Sequence, residues 1–231
     1  MAATDGGRTV DSDGTAGRTR LTRQRVIDAA VALADRVGIE AVTIRALAGE
    51  LGVKPMSLYH HVPGKEAIVD GVVDVVFSEI DEPPSDLPWK DAMRHRCHSV
   101  RAVLRRHPWA TPYMEARTTP GPATLHHHDV VLGCLRGGGL SLALTAHAYA
   151  VLDSFVYGFA LQESALTFEG ESTVVGLADQ MMSAFRDGAY EHMVEFTTQH
   201  VLRPGYAFGD SFAFGLDLLL DGIEAAAAAE R

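Results

Sequence analysis

The stretch LGVKPMSLYHHVPGK, residues 51–65, constrains this chain more than any other. Gly52 can take the left-handed conformation that a tight turn requires. Pro55 pushes the residue before it, Lys54, away from helical angles, yet is itself preorganised for the first position of a helix. Pro63 and Gly64 close the segment, so the helix that begins at Pro55 ends near His61 after barely two turns. A helix so short is marginal in isolation and exists only if something holds it.

Two helices are expected before it. Thr22 is a candidate N-cap for a helix over about 22–37, with Val26, Ala30, Leu33 and Val37 on one face and Gly38 past its end. Thr43 is a candidate cap for a shorter helix through Leu51, with Leu47, Ala48 and Leu51 facing inward. With Leu58 turned to the core, successive residues at about 100° put Met56 and His60 nearly opposite it and Ser57 and Tyr59 on the flanks. That outer face is polar and aromatic, unlike the Glu/Lys mixture of a merely solvated helix. A short helix, a glycine turn and a second short helix form the helix-turn-helix pattern, whose second helix enters the DNA major groove. Lys54, Ser57, Tyr59 and His60 carry groups that hydrogen-bond to base edges or phosphates, and Met56 can meet a thymine methyl. Arg45 can fork onto guanine, while His61 and Lys65 stand where phosphates are held. The competing reading is a short amphipathic helix in an ordinary bundle.

Charge favours the DNA reading. The net charge is −10, but residues 18–65 hold eight Lys/Arg against four Asp/Glu, which leaves 66–231 at −12 once the −2 of residues 1–17 is counted. A basic head on an acidic body suits a protein whose head meets a polyanion. The opening residues lack the apolar core of an export signal and read as a disordered tail, so a cytoplasmic protein with Cys97 and Cys134 as reduced thiols is expected. No apolar run is long enough to suggest a membrane span. No Ser/His/Asp ordering, metal-ligand spacing or phosphate loop supports an enzyme, and neither cofactor nor metal is expected.

The remaining periodicity is helical, giving an all-α chain: a tail over 1–17, a helix-turn-helix head over 18–65, a connecting helix over 66–82 and a helical body over 83–231. DEPPSDLP at 81–88 marks the break. Helices are expected over about 89–107, 124–136, 141–168, 173–185, 189–201 and 210–228, with PWATPYM at 108–114 interrupting. The 141–168 helix is apolar almost all round, so burial on several sides is expected. Within it Asp153 needs a partner, because a lone carboxylate in apolar surroundings is costly. Trp109, Tyr113 and Met114, together with Tyr149, Asp153 and Tyr157, are candidate walls of a small-molecule site, or ordinary core. His126, His127 and His128 point about 100° apart on a helix and cannot converge on one ion; surface or loop positions are the default for them.

The stretch from Leu21 to Asp74 closely resembles the DNA-binding head of the tetracycline-repressor (TetR) family. Ala29, Ala30, Gly38, Thr43, Leu47, Ala48, Leu51 to Val53, Leu58, Tyr59, His61, Lys65 and Glu66 carry the match. The body, in RRHPW at 105–109, DSFVYGFALQE at 153–163 and FAFGLDLLLDGIEA at 212–225, is similar to the tetracycline-repressor branch. The resemblance places Thr43, Arg45, Ser57, Tyr59, His61 and Lys65 where relatives contact DNA. Pro55 departs from the branch's namesake, which has a hydrogen-bonding side chain there, so the operator sequence does not carry over. It further implies a homodimer made by two long C-terminal helices per subunit, reading a near-palindromic operator, and a repressor released by a small-molecule effector. A ligand-dependent activator, or the same head with a protein partner or no effector, remains open. Gly158 and Gly215 permit close helix approach, and Phe212, Leu216, Leu219 and Ile223 form a stripe too apolar to leave wet; that stripe can serve the dimer or its own subunit.

Overall fold

The computed structural model describes residues 20–114, 119–167 and 190–230. Ten α-helices occur among them: α1 (Arg23–Val37), α2 (Ile44–Leu51), α3 (Pro55–Tyr59), α4 (Lys65–Ser78), α5 (Trp89–Arg106), α6 (Thr111–Met114), α7 (Pro122–Gly137), α8 (Leu142–Thr167), α9 (Glu191–Phe196) and α10 (Ser211–Ala229). Short 3-10 turns follow α1 and precede α10, and a five-residue π turn, Thr197–Val201, follows α9. The expected helix over 173–185 and the tail over 1–17 lie outside the described residues.

Local chemistry explains the first elements. The Thr22 and Thr43 hydroxyls accept from the backbone amides of Arg25 and Ala46, capping α1 and α2. Gly52 takes φ 63° and ψ 34°, and the Val53 amide reaches back to the Ala48 carbonyl at 3.0 Å. Pro55 then opens α3, which is pinned by Leu58, fully buried with Leu47, Val62 and Ile68. Burying that one side chain contributes about 1.5–3 kcal/mol, which a five-residue helix does not supply from its own hydrogen bonds.

The buried residues form two clusters. One, from Val26 to Val72, lies within α1–α4; the other, from Val69 to Ile223, joins the C-terminal part of α4 to α5, α7, α8 and α10. α1 and α4 run in the same direction: a methyl on Gly71 would collide with Ile27, and the C-terminal ends share His107, which faces both Asp35 and Glu79. In the body, Arg101 clamps Glu163 with two hydrogen bonds of 2.9 and 2.6 Å while its guanidinium lies 4.7 Å from the centre of the Phe212 ring. Lys90 bridges Asp221 and Glu224, and Arg94 binds Asp217, tying α5 to one side of α10.

The 141–168 helix buries Leu144, Leu152, Val156, Tyr157 and Phe159, while Leu142, Val151, Leu161 and Leu166 are exposed on α8. One expectation is corrected here. The stripe assigned to the dimer belongs to the subunit's own core: Phe212, Leu216 and Ile223 are buried, Leu219 packs half-buried against them, and Gly215 is small because the Phe155 ring of α8 occupies the space a side chain would need. α10 has a second apolar face, and Phe214 and Leu218, 69% and 57% exposed, stand on it. Gly158 faces open space on α8.

Candidate nucleic-acid interface

Around buried Leu58 the residues before, on and after α3 point outward. Met56 is 71% exposed and Tyr59 47%; Lys54, Pro55 and His60 are exposed, and Ser57 and His61 are half-buried. Thr43 and Arg45, at the start of α2, are exposed too, as is Lys65 at the first position of α4. The ten residues expected at the interface therefore share one requirement that the structure meets: none is consumed by the core. No ion partner is formed by Arg45 or Lys54 among the described residues. Lys65 lies 3.6 Å from Glu40, which also accepts from the Tyr113 hydroxyl at 2.6 Å. That hydrogen bond, then the Lys65 charge, holds the Glu40 carboxyl below its usual range.

The parallel course of α1 and α4 adds residues that helix periodicity does not single out. It brings the N-terminus of α1 to the same end of the head as Lys65, and Arg20 and Arg23 are exposed there. Their signal in the sequence is the uninterrupted basic spacing of Arg18, Arg20, Arg23 and Arg25, with no acid between Asp13 and Asp28.

The residues expected to wall a small-molecule site separate into two groups. Trp109 and Tyr113 turn toward the head: the indole Nε1 donates to Asp35 Oδ1 at 2.7 Å and the Tyr113 hydroxyl to Glu40. They do not join Asp153. Met114 is buried in the body core, and Tyr149 and Tyr157 lie with Asp153 along α8. Tyr149 hydrogen-bonds His128 Nδ1.

Asp153 has its partner. Arg96, which is completely buried, places Nη1 2.5 Å from Asp153 Oδ1, and its Nε and Nη2 lie 3.3 and 2.9 Å from His127 Nε2. Burial alone would lower the affinity of Arg96 for its proton, but the facing Asp153 charge reverses this and raises it. Burial, then the Arg96 charge, pushes His127 down to about 3, so its ring is neutral and Nε2 accepts. Thus His127 is not a surface residue, although His126, exposed and 2.8 Å from Glu82, is one. Asp153 Oδ2 and Thr145 Oγ1 are buried with no hydrogen-bond partner among the described residues. The described residues include no group of three His, Cys, Asp or Glu arranged to hold a metal ion.

The profile described as "Bacterial regulatory proteins, tetR family" matches residues 26–72, and "Tetracyclin repressor-like, C-terminal domain" matches 82–227. The chain belongs to the TetR family. It is 32% identical over 223 residues to the HTH-type transcriptional repressor DrrR1 of Streptomyces coeruleorubidus, covering 91% of this chain and 80% of that one. The class D tetracycline repressor of Escherichia coli is 30% identical over 152 residues, 64% of this chain and 69% of the relative. Among solved structures, ActR of Streptomyces coelicolor in complex with actinorhodin superposes with a TM-score of 0.76 at 26% identity, covering 90% of this chain and 97% of ActR. As a TetR-family protein the chain is a DNA-binding transcriptional regulator of the repressor type, all-helical with a helix-turn-helix head. No helix among the described residues is long and apolar enough to cross a membrane.

Proposed function

We propose that the chain is a homodimeric repressor that inserts α3 of each subunit into the major groove of a near-palindromic operator and is released by a small uncharged effector. One observation carries the DNA half of this reading: Leu58 is fully buried while Pro55, Met56 and Tyr59 on the same short helix are exposed. A core residue at the centre fixes the helix, and nothing among the described residues covers its outer face. Arg45, Ser57, Tyr59 and His60 read bases or position the helix; Met56 meets a methyl; Thr43, Lys54, Pro55, His61 and Lys65 approach the backbone, extended by Arg20 and Arg23 at the same end. Two-fold symmetry then sets half-sites about one helical turn, roughly 34–36 Å, apart.

The dimer face in this reading is the outer side of α8 and α10, with Val151, Gly158 and Leu161 on one helix and Phe214, Leu218 and Ala225 on the other. Large apolar side chains in a contiguous exposed patch favour association. The effector reading rests on the body interior. The charges of Arg96 and Asp153 cancel and His127 is neutral, so a charged ligand would bring an unpaired charge into a dry site. Asp153 Oδ2 is there to accept a hydroxyl or amide donor. A ligand that binds the body better in a form unsuited to DNA weakens DNA binding by the same coupling free energy.

Selection from a randomised duplex pool tests the reading. The protein should enrich one near-palindrome whose affinity falls steeply with salt. Binding with no preference over bulk duplex, or a monomer at micromolar concentration, would overturn it.

A further inference from the structure

Between the two buried clusters lies a polar seam that the DNA and effector readings leave unused. α5 ends at Arg106, and the amide of His107 still reaches the Val103 carbonyl at 2.9 Å. Pro108 cannot continue the helix, and the Ala110 amide closes a turn onto the His107 carbonyl at 2.9 Å. The turn aims two side chains at the head. His107, 5% exposed, sets Nδ1 2.7 Å from Asp35 Oδ1 of α1 and Nε2 3.1 Å from Glu79 Oε2, just past α4. Trp109 donates Nε1 to the same Asp35 oxygen at 2.7 Å. Arg106 binds Glu79 at 2.7 Å. Although partial burial pushes the Glu79 carboxyl up, the hydrogen bonds from Arg106 and His107 outweigh it and hold the group below its usual range.

Both ring nitrogens of His107 face carboxylate oxygens, so the ring spans from α1 to the end of α4. The rings of Trp109 and Tyr113 pack against both apolar clusters at once. Apolar contacts tolerate sliding, whereas two donors converging on one carboxylate oxygen from different directions fix rotation as well as distance.

We propose that Asp35, held by His107 and Trp109, is a positioning residue that sets the angle of the DNA-binding head on the body and hence the separation of the two reading helices. The proposal rests on the dimeric DNA-binding reading. A head clamped at one angle fits one half-site spacing; an unclamped head samples several and fits the best one less well. DNA affinity at a single half-site does not depend on the clamp, but selectivity for spacing does.

The test uses the full chain, a duplex selected by the wild-type protein, the same duplex with one or two base pairs inserted at its centre, and a single half-site. Asp35→Ala is expected to lower affinity for the selected duplex about tenfold. It should also shrink the preference for that duplex over the expanded ones at least threefold, with half-site affinity unchanged. Trp109→Phe keeps the ring packing and removes only the donor, so it should shift the same ratio in the same direction and stays informative if Asp35→Ala fails to fold. Unchanged spacing ratios in Trp109→Phe and in every folded Asp35 variant would overturn the clamp alone. A wild-type chain indifferent to spacing would overturn both the clamp and the dimeric reading.

Discussion

Arg96 and Asp153 meet in the body with both side chains out of water: the guanidinium is fully buried, and its Nη1 stands 2.5 Å from Oδ1. The pair joins α5 to α8 and, through His127, to α7. Breaking a buried pair by removing one partner leaves an uncompensated charge, whereas replacing both with apolar residues of similar volume is often neutral. Arg96→Ala or Asp153→Ala should each cost about 3–5 kcal/mol in chemical denaturation. Arg96→Met combined with Asp153→Leu should cost clearly less than either single change. Equal losses in all three would show that the pair does not act as one unit.

His127 links the same site to pH. Its folded-state value is about 3 against 6.5 for the free side chain, because burial and then Arg96 disfavour the charged ring. Between those values the unfolded chain binds a proton that the folded chain does not. Stability is therefore fully present above about pH 6.5 and is lost as pH falls toward 3, amounting to about 2 kcal/mol by pH 5. Urea midpoints measured across pH 7 to 5 should show this slope, and His127→Gln, which keeps an acceptor without a titratable ring, should flatten it.

The DNA-facing cations should reveal themselves through salt. Each phosphate contact removed lowers the slope of log affinity against log salt by about 0.9. Lys54→Ala and Arg23→Ala are each expected to do so by about that amount while leaving thermal stability unchanged. Tyr59→Ala should weaken the selected duplex more than random duplex. A slope unmoved by Arg23→Ala would remove the start of α1 from the interface.

The two apolar faces of α10 predict opposite phenotypes. Phe214→Glu or Leu218→Glu on the outer face should leave a folded monomer in sedimentation equilibrium, with helicity retained. Leu216→Ala on the inner face should cost about 2–5 kcal/mol of stability without changing the oligomeric state of the folded chain. The reverse pattern would return the dimer to the inner stripe.

At the α1–α4 crossing, Gly71→Ala would drive a methyl into Ile27. Overpacking of this kind costs about 1–3 kcal/mol, and Ile27→Val should partly rescue it in a thermal melt.

The head was legible because its signals are local. Thr22, Thr43, Gly52 and Pro55 act on backbone within a few residues of themselves, and Leu58 repeats at a helical interval, so caps, turns and the outer face of α3 follow from spacing alone. The body was legible as helices but not as a site. Phe212, Leu216, Leu219 and Ile223 form a sound apolar stripe, yet Phe214, Leu218 and Ala225 form a second one on the same helix. Periodicity finds both and orders neither. His127 was hidden for a related reason: three consecutive histidines look alike in sequence, and only the packing of α7 against α4, α5 and α8 decides which one loses its water.

The sequence by itself determined where the chain bends, where its helices start and stop, and which short helix it leaves uncovered, because each depends on torsions and hydrogen bonds among near neighbours. Only the tertiary structure decided that Arg96 answers Asp153, that Trp109 and Tyr113 turn to the head, and which face of α10 is spent on the core. Those outcomes depend on where residues tens of positions apart arrive in space, and on the direction of each side chain when they do.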